Sequence, residues 1–457
     1  MSPQSLTTKL RPVNCTTRAF TRRSFLKALS ATGLAAPFVT RDLLAFPPNG
    51  VLGHASFGAA GMAWEDLTQL TRYKKLHLVA VADVDLNRTQ EVRKRFPTTR
   101  IYQDWRELLD AEAKRLDTVN VSTPDHMHAP IAMSAMQLGK NVYCQKPLTH
   151  DLYEARKLTE FARAQHIVTQ MGIQIHSSSF YRMAVLLVQA GAIGRIKEVH
   201  SWVGSCWGDT SPRPDTSDAV PAGFNWNLWQ GVCAERPFIG NAYYHPVNWR
   251  KRLDFGTSTI GDMACHIFDP VFGAIGLTAP ISVRSEGSAP NQWNWPVDAE
   301  VHYEFPGTAY TADKTLPVTW YDCSRRPPAE VKALLEGDEL PGAGSVFVGT
   351  QGVLVLPHVA RPLLYPDKKF KDLKMPEVME SNHWAKFLEA CVGGNSTTAG
   401  FDYSGPLAEA VLVGTVALRF PKTTLKWNAP ALAFNEAEAN KFIRRQYRNG
   451  WAVKGLS

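Results

Sequence analysis

Three residues at well-separated positions could carry chemistry on an alcohol. Lys146 sits between a short apolar run, 141–144, and Pro147. A lysine there is either a solvated turn residue or one held in place, and the local sequence leaves both open. Asp262 and His266 lie four residues apart in the stretch Gly261-Asp262-Met263-Ala264-Cys265-His266-Ile267-Phe268-Asp269. On a helix that spacing projects both from one face, about a turn apart, with Asp269 near the same stripe. Pro270 argues for a kink, because its ring would clash with the carbonyl of His266. Oxidising a secondary alcohol needs a base for the hydroxyl proton, and histidine titrates in the right range. The same spacing equally suits an Asp–His pair that closes a helix end.

A second chemistry-bearing pattern is Gly58-Ala59-Ala60-Gly61-Met62-Ala63. Dinucleotide binding favours G-x-G-x-x-G after a strand: a tight turn, close approach of pyrophosphate to a helix N-terminus, then close helix–strand packing. Here Ala60 and Ala63 stand at the second and third glycine positions, and Ala60 adds a methyl group where the phosphate should sit. Asp83 ends the next apolar run 25 residues after Gly58, where a carboxylate would bond ribose hydroxyls and repel the 2′-phosphate of NADP. Asp83 is also placed to cap the following helix. Two further loops, Ser122-Thr123-Pro124-Asp125-His126-Met127-His128 and Gln145-Lys146-Pro147, follow short strand-like runs. In a doubly wound sheet both open onto the edge where the ligand lies. By themselves His126 and His128 read as solvated loop residues.

The elements that must position these groups alternate in a regular way. Over 52–150, short apolar runs (52–57, 76–82, 118–121, 141–144) are separated by helical patterns (59–71, 87–96, 105–113, 130–138), which predicts a parallel sheet with crossover helices. After about 170 the texture changes. Strands are expected at 199–203 and 301–305, with strand-like segments at 308–321 and 345–356. Long Trp-, Pro- and Gly-rich loops are expected over 206–250, and helices at 383–391 and 406–418. In the last helix Leu407, Ala410, Val411, Gly414 and Leu418 are spaced for one buried face. The fold class is therefore α/β, with a Rossmann-type parallel sheet over 46–170. A C-terminal α+β domain over 171–457 is expected to carry a mostly antiparallel sheet. Five of the thirteen tryptophans fall between Trp202 and Trp249, and their faces suit stacking on sugar rings.

Composition narrows the function classes. The 457 residues are 44% apolar and 20% charged, an ordinary globular balance. The net charge of +8 is concentrated in residues 1–45, where seven basic residues meet only Asp42, so the body carries only +2. That leaves no charge excess to attract nucleic acid. Seven scattered cysteines without a C-x-x-C pair suggest neither a zinc site nor a disulfide framework, although a single bridge is compatible with them. No metal ligands are assigned. In residues 1–45, Thr21-Arg22-Arg23-Ser24-Phe25-Leu26-Lys27 precedes a weakly apolar stretch and small residues. It resembles a twin-arginine export signal and predicts a periplasmic or otherwise exported protein.

The motifs Ser-Thr-Pro-Asp-His-Met-His, Lys146-Pro147 and Gly261–Asp269, in that order, together resemble the Gfo/Idh/MocA oxidoreductases, the family of glucose–fructose oxidoreductase and inositol dehydrogenase. Tyr244-His245-Pro246, Asn248-Trp249-Arg250 and Gly400-Phe401-Asp402-Tyr403 are similar to its exported bacterial branch. The family's usual Glu-Lys-Pro is Gln145-Lys146-Pro147 here. The resemblance implies NAD as cofactor, with NADP possible, and oxidation at a secondary hydroxyl of a sugar, polyol or derivative. It implies an open, mostly antiparallel sheet in the C-terminal domain over 171–457, which would serve substrate binding and oligomerisation, and a dimer or tetramer. It makes His266 the base, Lys146 the ammonium that holds the reacting oxygen, and Asp262 either a partner of a neighbouring hydroxyl or the group that orients His266. It places Gly58, Ala60, Gly61, Met62, Asp83, Ser122, Thr123, Pro124, His128, Gln145 and Lys146 at the cofactor, and His245, Trp249 and Arg250 at the substrate. Two other functions fit the same residues: a glycoside hydrolase that works by transient oxidation and elimination with retained NAD, and a non-catalytic sugar- or nucleotide-binding protein.

Overall fold

The computed structural model describes residues 50–457. The basic segment read as an export signal lies outside the described residues. The first layer comprises β1 (Leu52–Phe57), α1 (Met62–Leu70), β2 (Leu76–Ala82), α2 (Gln90–Arg95), β3 (Arg100–Tyr102), α3 (Trp105–Glu112), β4 (Thr118–Val121), α4 (His128–Gln137), β5 (Asn141–Cys144), α5 (Leu152–Ala164) and β6 (Thr169–Met171). Its six strands are all parallel, in the order β3-β2-β1-β4-β5-β6. The last five residues of β2 are buried, which is why that strand reads as a near-continuous apolar run. The winding direction reverses between β1 and β4, and that switch opens a crevice at their carboxyl ends.

The rest of the chain forms α6 (Ser179–Gln189), β7 (Ile196–Val203), α7 (Trp226–Gln230), α8 (Ser258–Ile267), α9 (Asp269–Ile275), β8 (Ser282–Ser285), β9 (Glu300–Pro306), β10 (Thr315–Tyr321) and α10 (Ala329–Ala333). These are followed by β11 (Ala343–Gly349), β12 (Val353–Pro357), β13 (Leu363–Tyr365), α11 (Asp367–Phe370), α12 (His383–Cys391), α13 (Phe401–Ala417), β14 (Leu425–Asn428) and β15 (Ala433–Phe434). Nine strands make one sheet in the order β13-β12-β11-β7-β10-β9-β8-β14-β15. Only β7 and β10 pair in parallel; the other neighbours are antiparallel. The expected strand over 308–321 begins only at Thr315, and 345–356 resolves into the hairpin of β11 and β12.

Pro270 ends α8 rather than bending it: α9 restarts at Asp269 with the proline in its first turn, where its missing N–H has no partner to lose. Helix α13 departs from the single buried face its spacing predicts. It is buried on nearly every side, because it packs against α5, α8 and β8 at once. One contiguous apolar cluster runs from Ala55 on β1 through Val411 on α13 to Leu354 on β12, so the two sheets share a core. Among the described residues no helix is long and apolar enough to cross a membrane.

A disulfide joins Cys206, just past β7, to Cys323, just past β10, across 117 residues. It ties together the ends of the two parallel neighbours of the second sheet. A bridge over so long a segment removes much of the freedom of the unfolded chain. Replacing both cysteines with serine should therefore lower stability by about 2–4 kcal/mol in urea denaturation. Wild-type protein denatured under reducing conditions should match the double variant; a reduced wild type as stable as the oxidised one would refute the contribution.

Candidate active site and dinucleotide cleft

The crevice above β1 and β4 is a cleft of about 320 Å³. Gly58, Ala60, Gly61, Met62, Asp83, Ser122, Thr123 and Pro124 all line it. Gly58 has φ +108°, and a Cβ there would sit 2.7 Å from the carbonyl of Ser122 and 2.8 Å from the Cβ of Ala63. Gly58 thus makes the room that Ala63 fills, which is why the third position tolerates alanine. Gly61 is the N-cap of α1 and has φ +63°. The left-handed turn falls at residue 61 and not at 60, so Ala60 keeps an ordinary backbone. The cradle fits a pyrophosphate in type: a left-handed glycine at the N-terminus of a nine-residue helix, open to the cleft.

Asp83 holds this loop from below. Its Oδ2 accepts from the Ala59 N–H and its Oδ1 from the Asp85 N–H, each at 2.9 Å. Burial raises its pKa to about 6, against the pull of those N–H groups and of the Arg88 guanidinium. Arg88 lies on the same cleft wall.

Two residues expected at the cofactor face elsewhere. His128 is buried and clasps the two loops, with Nε2 2.8 Å from the Thr123 carbonyl and Nδ1 2.8 Å from that of Pro147. Gln145 turns beneath the cleft and donates to Asp66 at 2.8 Å. Asp66 on α1 went unnoticed in the sequence. It also receives the Ser122 hydroxyl at 2.7 Å and the Trp384 indole at 2.8 Å, so one buried carboxylate joins α1, β4, β5 and α12.

The opposite wall comes from 224–250. Leu228, Trp229, His245, Trp249 and Arg250 line the cleft. The segment is docked on the end of β2: Leu86 N–H donates to Gly223 at 2.9 Å and Asn225 N–H to Val84 at 2.8 Å. His245, expected at the substrate, instead pairs with Asp85 at 3.1 Å and stacks on Phe224 with centroids 4.8 Å apart. The tryptophan cluster is correspondingly divided. Trp229 and Trp249 wall the dinucleotide cleft, Trp202 is packed in the second sheet, and only Trp207 bonds Asp262.

Lys146 and Asp262 meet across the two sheets. The Lys146 ammonium donates to Asp262 Oδ1 and to its backbone carbonyl, each at 2.8 Å. Arg250 Nε donates to the same Oδ1 at 3.1 Å, and the Trp207 indole to Oδ2 at 2.8 Å. Burial alone would push the Asp262 carboxyl up, but Lys146 and Arg250 outweigh it and hold it well below the usual carboxylate range. An ammonium has three N–H groups, so Lys146 keeps one free of Asp262. Asp262 bonds these cations and Trp207 rather than orienting His266.

His266 stands a turn along α8. Among the described residues neither of its ring nitrogens has a hydrogen-bond partner, and Nδ1 is buried. Burial, then the charge of Lys146, push its pKa well below 6.5, so the ring is neutral and can accept a proton. Nearby Asp125 accepts from the Thr257 hydroxyl at 2.6 Å, and burial raises its pKa to about 7. Asp269 leaves the stripe and instead bonds His176 and Tyr403. The loop after Lys146 is pinned by the C-terminal tail, where Arg445 bonds Asp151 at 2.9 Å. Nothing local in the sequence marks Arg445, Trp207 or Asp66 for these roles. Among the described residues no group of three or more His, Cys, Asp or Glu is placed to hold a metal ion.

Residues 50–173 match the model of the Gfo/Idh/MocA oxidoreductase family, described as an NAD-binding Rossmann fold. The first sheet and its helices are thus similar to the NAD-binding Rossmann domain of that family, over the first part of the described chain. The chain is 25% identical over 190 residues to levoglucosan dehydrogenase of Pseudarthrobacter phenanthrenivorans, covering 41% of this chain and 40% of that protein. It is 34% identical over 111 residues to inositol 2-dehydrogenase of Rubrobacter xylanophilus, covering 24% of this chain and 30% of that one. These matches span less than half the length of either relative. The WlbA dehydrogenase of Bordetella pertussis, solved with NADH and UDP-GlcNAcA, is similar in fold, with TM-score 0.58 at 11% identity over 83% of this chain and 99% of that one. The likeness extends the shared fold through both sheets.

Removing Lys146 should expose the charge dependence of the pair. The folded Asp262 carboxyl keeps its charge to lower pH than the unfolded one. The pair's stability is therefore present above about pH 4 and is lost as pH falls below it. Lys146→Met should cost about 3–5 kcal/mol near neutrality, and the deficit should narrow in acid. Urea denaturation at neutral pH and near pH 3 measures this. An equal deficit at both would show that Lys146 contributes packing and not charge.

Proposed function

We propose that the chain is an NAD-dependent dehydrogenase that oxidises a secondary hydroxyl of a sugar, polyol or sugar derivative. The observation that carries this reading is the pairing of a held ammonium, Lys146, with a neutral histidine, His266, whose nitrogens are unpartnered among the described residues. Gly58 and Gly61 at the start of α1 would hold the pyrophosphate, with Asp83 at the ribose end of the cleft. Bound there, NAD would supply the hydride acceptor. His266 takes the hydroxyl proton. The free N–H of Lys146 bonds the same oxygen and stabilises the alkoxide charge as it develops. Asp262, fixed by Arg250 and Trp207, keeps the Lys146 ammonium aimed. The dehydrogenases among the similar proteins, which include a levoglucosan and an inositol dehydrogenase by name, support the substrate class.

His266→Ala should lower turnover by roughly 10²–10⁴-fold, the usual worth of a positioned base, while nucleotide binding stays unchanged. The measurement is NADH absorbance with a panel of sugars and polyols. Undiminished NADH production by the variant would overturn the assignment of the base. Release of free sugar from glycosides without net NADH would move the chain to redox-assisted hydrolysis.

We also propose that the protein is exported by the twin-arginine route. Arg22-Arg23 motivates this, and the Cys206–Cys323 disulfide supports it, since such bridges persist in oxidising compartments. Changing Arg22 and Arg23 to lysine should leave the protein in the cytoplasm on cell fractionation. Normal appearance of that variant in the periplasm would refute the route.

A further inference from the structure

His358 lies outside every motif that the sequence singles out. It follows β12 directly, and its ring centroid is 6.0 Å from that of His266. Two hydrogen bonds of about 2.8 Å meeting at one oxygen span up to about 5.6 Å between nitrogens, so small polar groups between the rings can reach both. On its other side, the hydroxyl of Tyr181 on α6 lies 2.6 Å from His358 Nδ1. Tyr181 is buried, and burial reinforced by the charge of Asp269 keeps its phenol protonated. Among the described residues Nδ1 is the sole hydrogen-bond partner of that buried hydroxyl, so donation to Nδ1 is the arrangement that satisfies the O–H, and the ring proton of neutral His358 then sits on Nε2. Among the described residues that nitrogen has no hydrogen-bond partner. His358 is only partly buried, so its free donor remains accessible.

Two rings with nitrogens unpartnered among the described residues thus stand with their centroids 6.0 Å apart. The charged and titratable groups around them are Lys146, Asp262 and His383 about His266, and Lys146 about His358. None of these supplies a hydrogen bond to either ring. His266 Nδ1 is buried without a partner among the described residues, a state that costs free energy unless a polar group satisfies it, while His358 Nε2 stays open to a ligand.

We propose that His358 is a specificity-determining residue, with Nε2–H donating to the hydroxyl adjacent to the one that gives its proton to His266. Tyr181 is the positioning residue that fixes its tautomer. This rests on the dehydrogenase reading above and narrows its substrate class to vicinal diols within a ring.

The test uses the full chain loaded with NAD, and cyclic polyols paired with analogues that lack one neighbouring hydroxyl. Binding is read by calorimetry and turnover by NADH absorbance. Wild type should bind the diol over its deoxy analogue, and His358→Leu should weaken the diol by roughly 10–100-fold while leaving the analogue unaffected. His358→Gln, which keeps a donor near the same place, should restore most of the preference. Tyr181→Phe should lose part of it and shift the pH dependence of diol binding, with NAD affinity unchanged in all variants. If His358→Leu is poorly folded by circular dichroism, His358→Gln and Tyr181→Phe still decide the matter. Equal binding of diol and analogue by wild type, unchanged selectivity in the variants, or no binding of any diol would each overturn the assignment of His358. Turnover that survives His266→Ala would instead overturn the dehydrogenase reading, whatever His358 does.

Discussion

The ion pair between Lys146 and Asp262 is the contact on which the site depends. Lys146 leaves the end of β5 in the first sheet, and Asp262 sits on α8 in the second part of the chain. Their side chains are 13% and 12% exposed, so each would be costly to bury alone. The backbone carbonyl of Asp262 adds a second bond to the same ammonium. A charge pair of this kind fixes distance and direction together. It brings Lys146 and α8 together beside the dinucleotide cleft, because the cleft and Lys146 share the carboxyl edge of one sheet.

Around that pair the structure uses buried polar groups as rivets. Asp66 joins the glycine helix to β4, β5 and α12. His128 clasps the loops that carry Thr123 and Pro147. Arg445, from the C-terminal tail, holds Asp151 and so the loop after Lys146. Trp207 is held next to the Cys206–Cys323 bridge, and its indole completes the donor set on Asp262. Each is a low-exposure polar group with defined partners, the arrangement that leaves a side chain one orientation. The loop over 224–250 adds an outer wall, docked on β2 by backbone hydrogen bonds and by the Asp85–His245 pair. Because that wall faces the cleft, Trp229 and Trp249 line the side opposite the glycine loop.

Much of the first sheet was legible because its signals are local. The apolar run 76–82, the helix patterns and Asp83 follow from side-chain periodicity and from the chain turning at strand ends. The glycine loop was legible in kind but not in detail. Only the fold shows that Gly58 makes space for Ala63 and that the left-handed residue is Gly61, so that Ala60 strains nothing. The i, i+4 spacing of Asp262 and His266 gave a common helix face, yet not their partners. Asp262 turned to Lys146, Arg250 and Trp207, and His245 to Asp85. The single buried face expected for α13 failed because spacing counts residues along one helix, whereas burial depends on how many neighbours surround it.

The sequence by itself determined the alternation of strands and helices, the placing of Gly58 and Ser122 just after strands, and the residue types able to move a proton. Those properties are written in neighbouring residues, since helix and strand periods and turn preferences act over a few positions. Only the tertiary structure decided which distant groups meet: Lys146 with Asp262, Cys206 with Cys323, Asp66 with Trp384, and His266 with His358 and Tyr181 behind it. Such pairs are separated by tens to hundreds of residues, and their encounter is fixed by the packing of two sheets around one core. A side chain's final partner is whichever group that packing brings within hydrogen-bonding distance after water has been removed.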